Sequence, residues 1–269
     1  MKSSSGHDMT GHGAHAAHGG ARTGGLSVSE DGYTLEFDST IRSSGPQPVT
    51  FRVTGPDGQA VTEFTPEHEK ELHLIAVRRD TTGFQHVHPV MDGKGTWSVE
   101  LDLAPGDWRV FADIHPTGHH RAMTLGIDVS VAGRYDPRPL PEVARAARVR
   151  EYTVTLDGEL LPGEASDLKL TVSRNGRPVT DLQPYLAAYG HLVALRVGDL
   201  GYLHVHPNGE PGDGTTEPGP EIAFTATAPS SGTYRLYLDF QHDDVVRTAE
   251  FTVPTTGTAG VGHHGGHHH

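Results

Sequence analysis

The chain contains the same block twice. "GQAVTEFTP" (58–66) returns as "GRPVTDLQP" (176–184), and "HLIAVRRDTTGFQHVHP" (73–89) returns as "HLVALRVGDLGYLHVHP" (191–207), both at an offset of 118. The longer pair has 9 identities in 17 positions and no gap. The second copy then carries an insertion, "NGEPGDGTTEPGPE" (208–221), after which "GDWRVFAD" (106–113) matches "GTYRLYLD" (232–239) at offset 126. A repeat this long is a duplicated domain, not a solenoid period. Whatever one copy folds into, the chain holds two of them.

Each copy reads as β. "VTFRV", "HLIAVRR", "TWSVELDL", "WRVFADI" and "IDVSV" are short, rich in β-branched and aromatic residues, and separated by Gly/Pro turns. "LKLTV", "HLVALRV", "EIAFTATA", "YRLYLDF" and "AEFTV" repeat the pattern. About seven short strands per copy predict an all-β chain of two tandem immunoglobulin-like or cupredoxin-like β-sandwich domains. The expected boundaries are 26–133 for the first sandwich, 134–150 for a Pro-rich linker and 151–254 for the second. Residues 1–25 and 255–269 are Gly/His-rich, without periodicity, and are expected to be disordered tails. "HHGGHHH" at the end has the composition of a purification tag, though it is interrupted.

Composition narrows the function. A formal net charge of −13 argues against nucleic acid or an anionic membrane as the main partner. With no Cys, the chain cannot build a four-cysteine zinc site, an iron–sulfur cluster, a blue-copper centre or a thiol nucleophile. No apolar run is long enough to span a bilayer, and no export signal is visible, while the lack of thiols fits an oxidising compartment. Histidine is the anomaly, with 20 residues against 21 Lys plus Arg.

The repeated histidines have a geometry. "HLIAVRR" and "FQHVHP" form a hairpin around "DTTG". Side chains alternate along a strand, so His86 and His88 share a face, and His73 lies across from one of them. The second copy predicts the same triad from His191, His204 and His206. Three imidazoles on one sheet face suit Cu²⁺ or Zn²⁺. Asp113 and Asp239 are candidate fourth ligands or acceptors that orient an imidazole. His115 and His242 follow them at unequal spacing and are weaker candidates. The tail adds His7, Met9, His12, His15 and His18 as a loose metal buffer or delivery arm. Because each triad lies within one hairpin, the expectation is one independent site per repeat, on an exposed sheet face.

Plainer readings exist. A strand histidine is often only a surface residue, His-Pro can be turn chemistry, and Trp108 and Tyr234 are expected in the cores. "HEKELH" (68–73) spaces its histidines by five, not the four of a zinc-protease helix. No G-x-S-x-G, P-loop or dinucleotide fingerprint is present. The chain is therefore read as a non-enzyme, with a mononuclear copper redox enzyme left open as an alternative.

The block "ELHLIAVRRDTTGFQHVHP…GTWSVELDLAPGDWRVFAD" resembles a family of bacterial extracytoplasmic β-domain proteins with an "HLhhVpxDhxxFxHhHP…FADF" signature. Its members are described as hypothetical or as heavy-metal- or copper-binding. The resemblance covers most of both copies. It implies an envelope location and transition-metal handling. "ADIHP" and "LDFQH" depart from the signature after the aspartate. The combined expectation is an extracytoplasmic protein that buffers or transfers copper(II), or else zinc, with an envelope metal transporter or metallochaperone as partner. The alternative class is a cell-envelope module that binds protein or glycan, its histidines incidental.

Overall fold

The computed structural model describes residues 23–203 and 205–257, with the backbone alone at His206. The tail residues His7, Met9, His12, His15 and His18, and His204, lie outside the described residues.

Each repeat is a sandwich of two sheets. In the first, one sheet runs β1 (Ser29–Glu30), β2 (Tyr33–Phe37), β4 (Gly45–Thr54), β8 (Thr96–Leu103), β7 (Val90–Met91). The other runs β3 (Ile41–Arg42), β10 (Met123–Val131), β9 (Gly106–Ile114), β5 (Leu72–Arg78), β6 (Gln85–Val87). In the second repeat, β11 (Ala146–Val149), β12 (Tyr152–Asp157), β13 (Ala165–Arg174), β18 (Glu221–Thr227) and β17 (Val205–Pro207) form one sheet, with β14 (Arg177–Pro178) beside β13. β16 (Tyr202–Leu203), β15 (His191–Arg196), β19 (Thr233–His242) and β20 (Val245–Pro254) form the other. Among the described residues no helix is long and apolar enough to cross a membrane.

Alternation along the strands assigns three cores. Leu72, Leu74 and Ala76 of β5 join Trp108, Val110 and Ala112 of β9 in the first sandwich. Leu192 and Ala194 of β15 join Tyr234, Leu236 and Leu238 of β19 in the second. The opposite faces of the same strands meet each other: Ile75, Val77 and Phe111 pack with Val193, Leu195, Leu200, Tyr202 and Tyr237. Phe84 stacks on Tyr237 with ring centroids 4.1 Å apart and planes 5° from parallel. The two repeats are thus joined by a third apolar cluster, and the sheet face expected to be exposed is buried. Each of these side chains gains about 1.5–3 kcal/mol from leaving water, an upper bound that counts from a fully exposed reference. This is why β5 and β15 show runs of buried residues instead of an in–out alternation.

Three edges of the sequence-based plan shift. Thr255, read as tail, makes a β-bridge to Leu160. Ala146–Val149, read as linker, pairs with β12 as a strand of the second sandwich. Gly24, read as tail, makes a β-bridge to Tyr202.

Candidate metal centre

The first hairpin folds as its alternation demands. β5 pairs with β6 in the register Leu74↔Val87, Ile75↔His86, Ala76↔Gln85, which continues to put His73 opposite His88. His73, His86 and His88 come together, each offering one nitrogen, all three within 4.8 Å of one another. His73 Nδ1 lies 3.0 Å from His86 Nε2 and 3.2 Å from His88 Nε2. Imidazole nitrogens held roughly 2.0–2.1 Å from a shared ion sit about 2.9 Å apart at right angles and about 3.4 Å apart at tetrahedral angles. The observed spacing is in that range.

The other ring nitrogens are committed. His73 Nε2 donates to the Glu67 carbonyl at 2.9 Å. His86 Nδ1 lies 2.9 Å from Asp239 Oδ2, and Asp239 Oδ1 in turn accepts from Thr248 Oγ1 at 2.5 Å. A carbonyl or carboxylate behind an imidazole selects its tautomer and aims its lone pair forward. Here the two lone pairs, on His73 Nδ1 and His86 Nε2, are aimed at each other. With these tautomers, a cation between them, either a metal ion or an extra proton on one ring, relieves the opposition.

Asp239 belongs to the second repeat. His191 does too, and it lines the same cavity of about 70 Å³ as His73, His86 and His68. The His191 ring centroid is 6.1 Å from that of His86 and 6.3 Å from that of His73. The expectation of two self-contained sites, one per hairpin, is corrected on this point. The sheet faces carrying the histidines pack on each other, so residues of both repeats meet in one place.

The backbone device that holds His73 is duplicated as well. His191 Nε2 donates to the Tyr185 carbonyl at 2.8 Å, and 185 is 67 plus the offset of 118. In each repeat a tight turn supplies the carbonyl, bridging Glu67 to Lys70 and Tyr185 to Ala188. The turns share left-handed φ values, 49° and 66° at His68 and Glu69, 51° and 58° at Leu186 and Ala187. Burial pushes the His73 and His88 imidazoles down to about 3 and His191 down to about 4, with neighbouring imidazoles adding to the effect. All three rings are neutral near pH 7, the form that binds metal.

The second hairpin is built differently. Tyr202–Leu203 pairs with β15, but Val205–Pro207 has already crossed to the other sheet, where His206 faces Thr225. In the first repeat β6 still pairs with β5 through Val87, the position equivalent to Val205. The side chains of His204 and His206 are outside the described structure.

The remaining candidates separate. Asp113 sits directly across from His73 in the β5–β9 register, accepts from Thr124 Oγ1 at 3.0 Å, and takes the Tyr202 hydroxyl at 3.4 Å. His115 contacts a Glu67 carboxylate oxygen and the His119 carbonyl, both at 3.2 Å. His242 is held elsewhere, by the Tyr152 hydroxyl at 2.7 Å and Asp181 at 3.1 Å. His68 was not among the sequence candidates. Its ring centroid lies 5.1 Å from His191 and 6.4 Å from His73. Asp31, His119 and His120 form a second, more exposed group, in which Asp31 is paired with Arg121 at 2.7 Å.

The profile of a family described as a domain of unknown function, DUF8832, matches residues 27–131 and 147–257, which are the two sandwiches. The chain belongs to this family, and the duplication read from the sequence is the family domain occurring twice. That description attaches no function to the domain. No curated protein matches the chain. Solved structures with similar folds include FdeC, an Escherichia coli adhesin, at 16% identity and TM-score 0.25, covering 86% of this chain and 66% of FdeC. Invasin, a bacterial integrin-binding protein, matches at 12% and 0.24, over 86% of this chain and 41% of invasin. A Salmonella alpha-2-macroglobulin matches at 15% and 0.28, over 88% and 16%. This chain therefore spans less than two thirds of the length of each. Likenesses this distant carry no inference about function.

Proposed function

We propose that this member of the DUF8832 family binds a divalent first-row transition-metal ion, copper(II) or zinc, between its two domains. His73 Nδ1, His86 Nε2 and His88 Nε2 are the ligands of this reading, with His191 lining the cavity from the second repeat. One observation carries it. The Glu67 carbonyl and the Asp239 carboxylate commit the far nitrogens of His73 and His86, so that their near lone pairs converge at 3.0 Å. Imidazole ligands without thiolate favour Cu²⁺ and Zn²⁺ over Cu⁺. The cavity of about 70 Å³ suits an ion and its water, not an organic substrate.

The role that fits such a site is holding an ion and passing it on, outside the cytoplasm, to an envelope transporter or metallochaperone. No catalytic step is part of this reading. The second reading is an envelope module that binds protein or glycan, its histidines incidental. Titration separates the two. Full-length protein and the His86→Ala/His88→Ala double variant are titrated with Cu²⁺ and Zn²⁺ against a competing chelator. The metal reading requires one tight equivalent that the double variant lacks. Equal binding by both would leave the histidines incidental and favour the second reading.

A further inference from the structure

The imidazoles of His68, His73, His86, His88 and His191 crowd the space between the repeats, and their ring spacings sort them into two groups. Within the triad the centroids lie 5.3 Å (His73–His86), 4.9 Å (His73–His88) and 4.9 Å (His86–His88) apart. His68 and His191 are 5.1 Å apart. Between the groups the distances are longer: 6.4 Å from His68 to His73, 6.3 Å from His191 to His73 and 6.1 Å from His191 to His86. Two rings that ligate one ion at roughly 2.0–2.1 Å have centroids about 4.5 Å apart at a right angle and about 5.2 Å apart at the tetrahedral angle. The His68–His191 pair thus has the spacing of ligands to an ion of its own. His191 stands too far from His73 and His86 to complete a tetrahedron with them.

The turn that carries His68 does not require histidine. Its equivalent in the second repeat has leucine at the same place, Leu186, with φ of 51° against 49° at His68. The imidazole therefore answers to something outside the turn. It faces two spaces. It lines the cavity of about 70 Å³ together with His73, His86 and His191. It also lines a cavity of about 380 Å³ bordered by Ala187, Pro207, Gly209, Glu210 and Asp213. Among the described residues only His68 and Pro207 border both, and proline has no side-chain donor atom for a metal. His68 is half-buried, whereas His73 and His191 are 8% and 7% exposed. His191 Nε2 is committed to the Tyr185 carbonyl, which leaves Nδ1 as its ligand atom.

We propose that His68 and His191 form a second, weaker seat for the ion, through which it passes between the outer cavity and the triad. This rests on the metal reading above. Two imidazoles completed by water hold Cu²⁺ or Zn²⁺ less tightly than three, so an ion that lands on the pair moves on to the triad. His68 meets the ion first, because its ring borders the outer cavity. His191 shares the inner cavity with His73 and His86 and stands next in line. Passed from ligand to ligand, the ion is never left without a partner in the apolar interior, the state that burial makes costly.

The test separates rate from affinity. The full-length native chain, His68→Leu and His68→Ala are each mixed with one equivalent of Cu²⁺, quenched with excess EDTA at intervals, and assayed for retained copper. Loaded protein is then held in EDTA and its loss of copper followed, while chelator competition gives the affinity. Leucine is the residue of the equivalent turn, and alanine leaves the passage open. Both variants should keep one tight equivalent at an affinity within about twofold of native, while loading and release slow by the same factor, about tenfold or more. The retained equivalent shows that each variant is folded with its triad intact. A native or faster rate in either variant overturns the seat and leaves the triad standing. A tenfold loss of affinity in the alanine variant makes His68 a resident ligand and overturns the seat as well. No retained copper in the native chain overturns the triad and the seat together.

Discussion

His86 Nδ1 lies 2.9 Å from Asp239 Oδ2, although 153 residues and a domain boundary separate them. Both side chains are about 5% exposed. Hydrogen bonds to an ionised group are stronger than neutral ones, and breaking a buried one leaves the other charge stranded. Asp239→Asn keeps the shape and removes the charge. It should weaken Cu²⁺ or Zn²⁺ binding by about 10–100-fold, the usual cost of losing an acceptor behind a metal-binding imidazole, with stoichiometry unchanged. Chelator competition measures it. An unaltered affinity would mean that Asp239 does not orient His86.

Acid should loosen the metal-free protein. His73 is held down to about 3 and His191 to about 4 by burial, against about 6.5 when unfolded. Between those values the unfolded chain binds more protons than the folded one, so stability rises with pH. The contribution is complete above about pH 6.5 and is lost progressively as pH falls toward the folded values. From pH 7.5 to 5 each of the two should cost about 1–2 kcal/mol. Calorimetric melts of apo protein at the two pH values report the loss, and His73→Leu should make the dependence shallower. A melting temperature independent of pH in this window contradicts the assignment of His73 and His191 as buried neutral rings.

The interface between the repeats should carry real stability. Tyr237 is fully buried, stacks on Phe84, and donates its hydroxyl to the Thr81 carbonyl at 2.7 Å. Tyr237→Ala should cost about 3–5 kcal/mol, by analogy with other large aromatic truncations. Tyr237→Phe should cost about 1–3 kcal/mol, from the carbonyl left without its donor. Urea unfolding gives both numbers, and the Ala variant should separate into two transitions as the sandwiches uncouple. A cost for Ala no larger than that for Phe would mean that the stack contributes little.

Gly126→Ala should expel the N-terminal segment from its groove, because the new Cβ meets the Gly25 carbonyl and the Arg109 guanidinium. The amides of Gly24, Gly25 and Tyr202 should then exchange with solvent at least tenfold faster, while those within β5 and β9 keep their protection. Hydrogen exchange read by NMR resolves them. Unchanged protection at Gly24 and Gly25 would show that the groove yields without releasing the segment.

Much of this was legible in the sequence. The offset of 118 located both domains, and strand alternation put His86 and His88 on one face with His73 across from one of them, which the observed register shows to be His88. The stacking of the repeats is not among the sequence expectations, though the sequence carries a signal for it. The centres of "HLIAVRR" and "HLVALRV", LIAV and LVAL, are wholly apolar where a strand with one wet face would alternate, and such a run marks burial on both sides. The Asp239–His86 contact followed from that stacking and from nothing local. Glu67 and Tyr185 act through backbone carbonyls, so their unlike side chains concealed a shared role. His68 opens a pattern that fails as a zinc-protease helix, and it sits in a left-handed turn with its ring against that of His191.

The central claim is that residues of both repeats assemble one metal site around the His73–His86–His88 triad. Crystals of the full-length protein soaked in Cu²⁺, with anomalous diffraction recorded above and below the copper edge, test it most directly. The account predicts a peak at the convergence of His73 Nδ1, His86 Nε2 and His88 Nε2, within about 2.0–2.1 Å of each nitrogen. Anomalous signal confined to the surface group of Asp31, His119 and His120, with none at the triad, would contradict it.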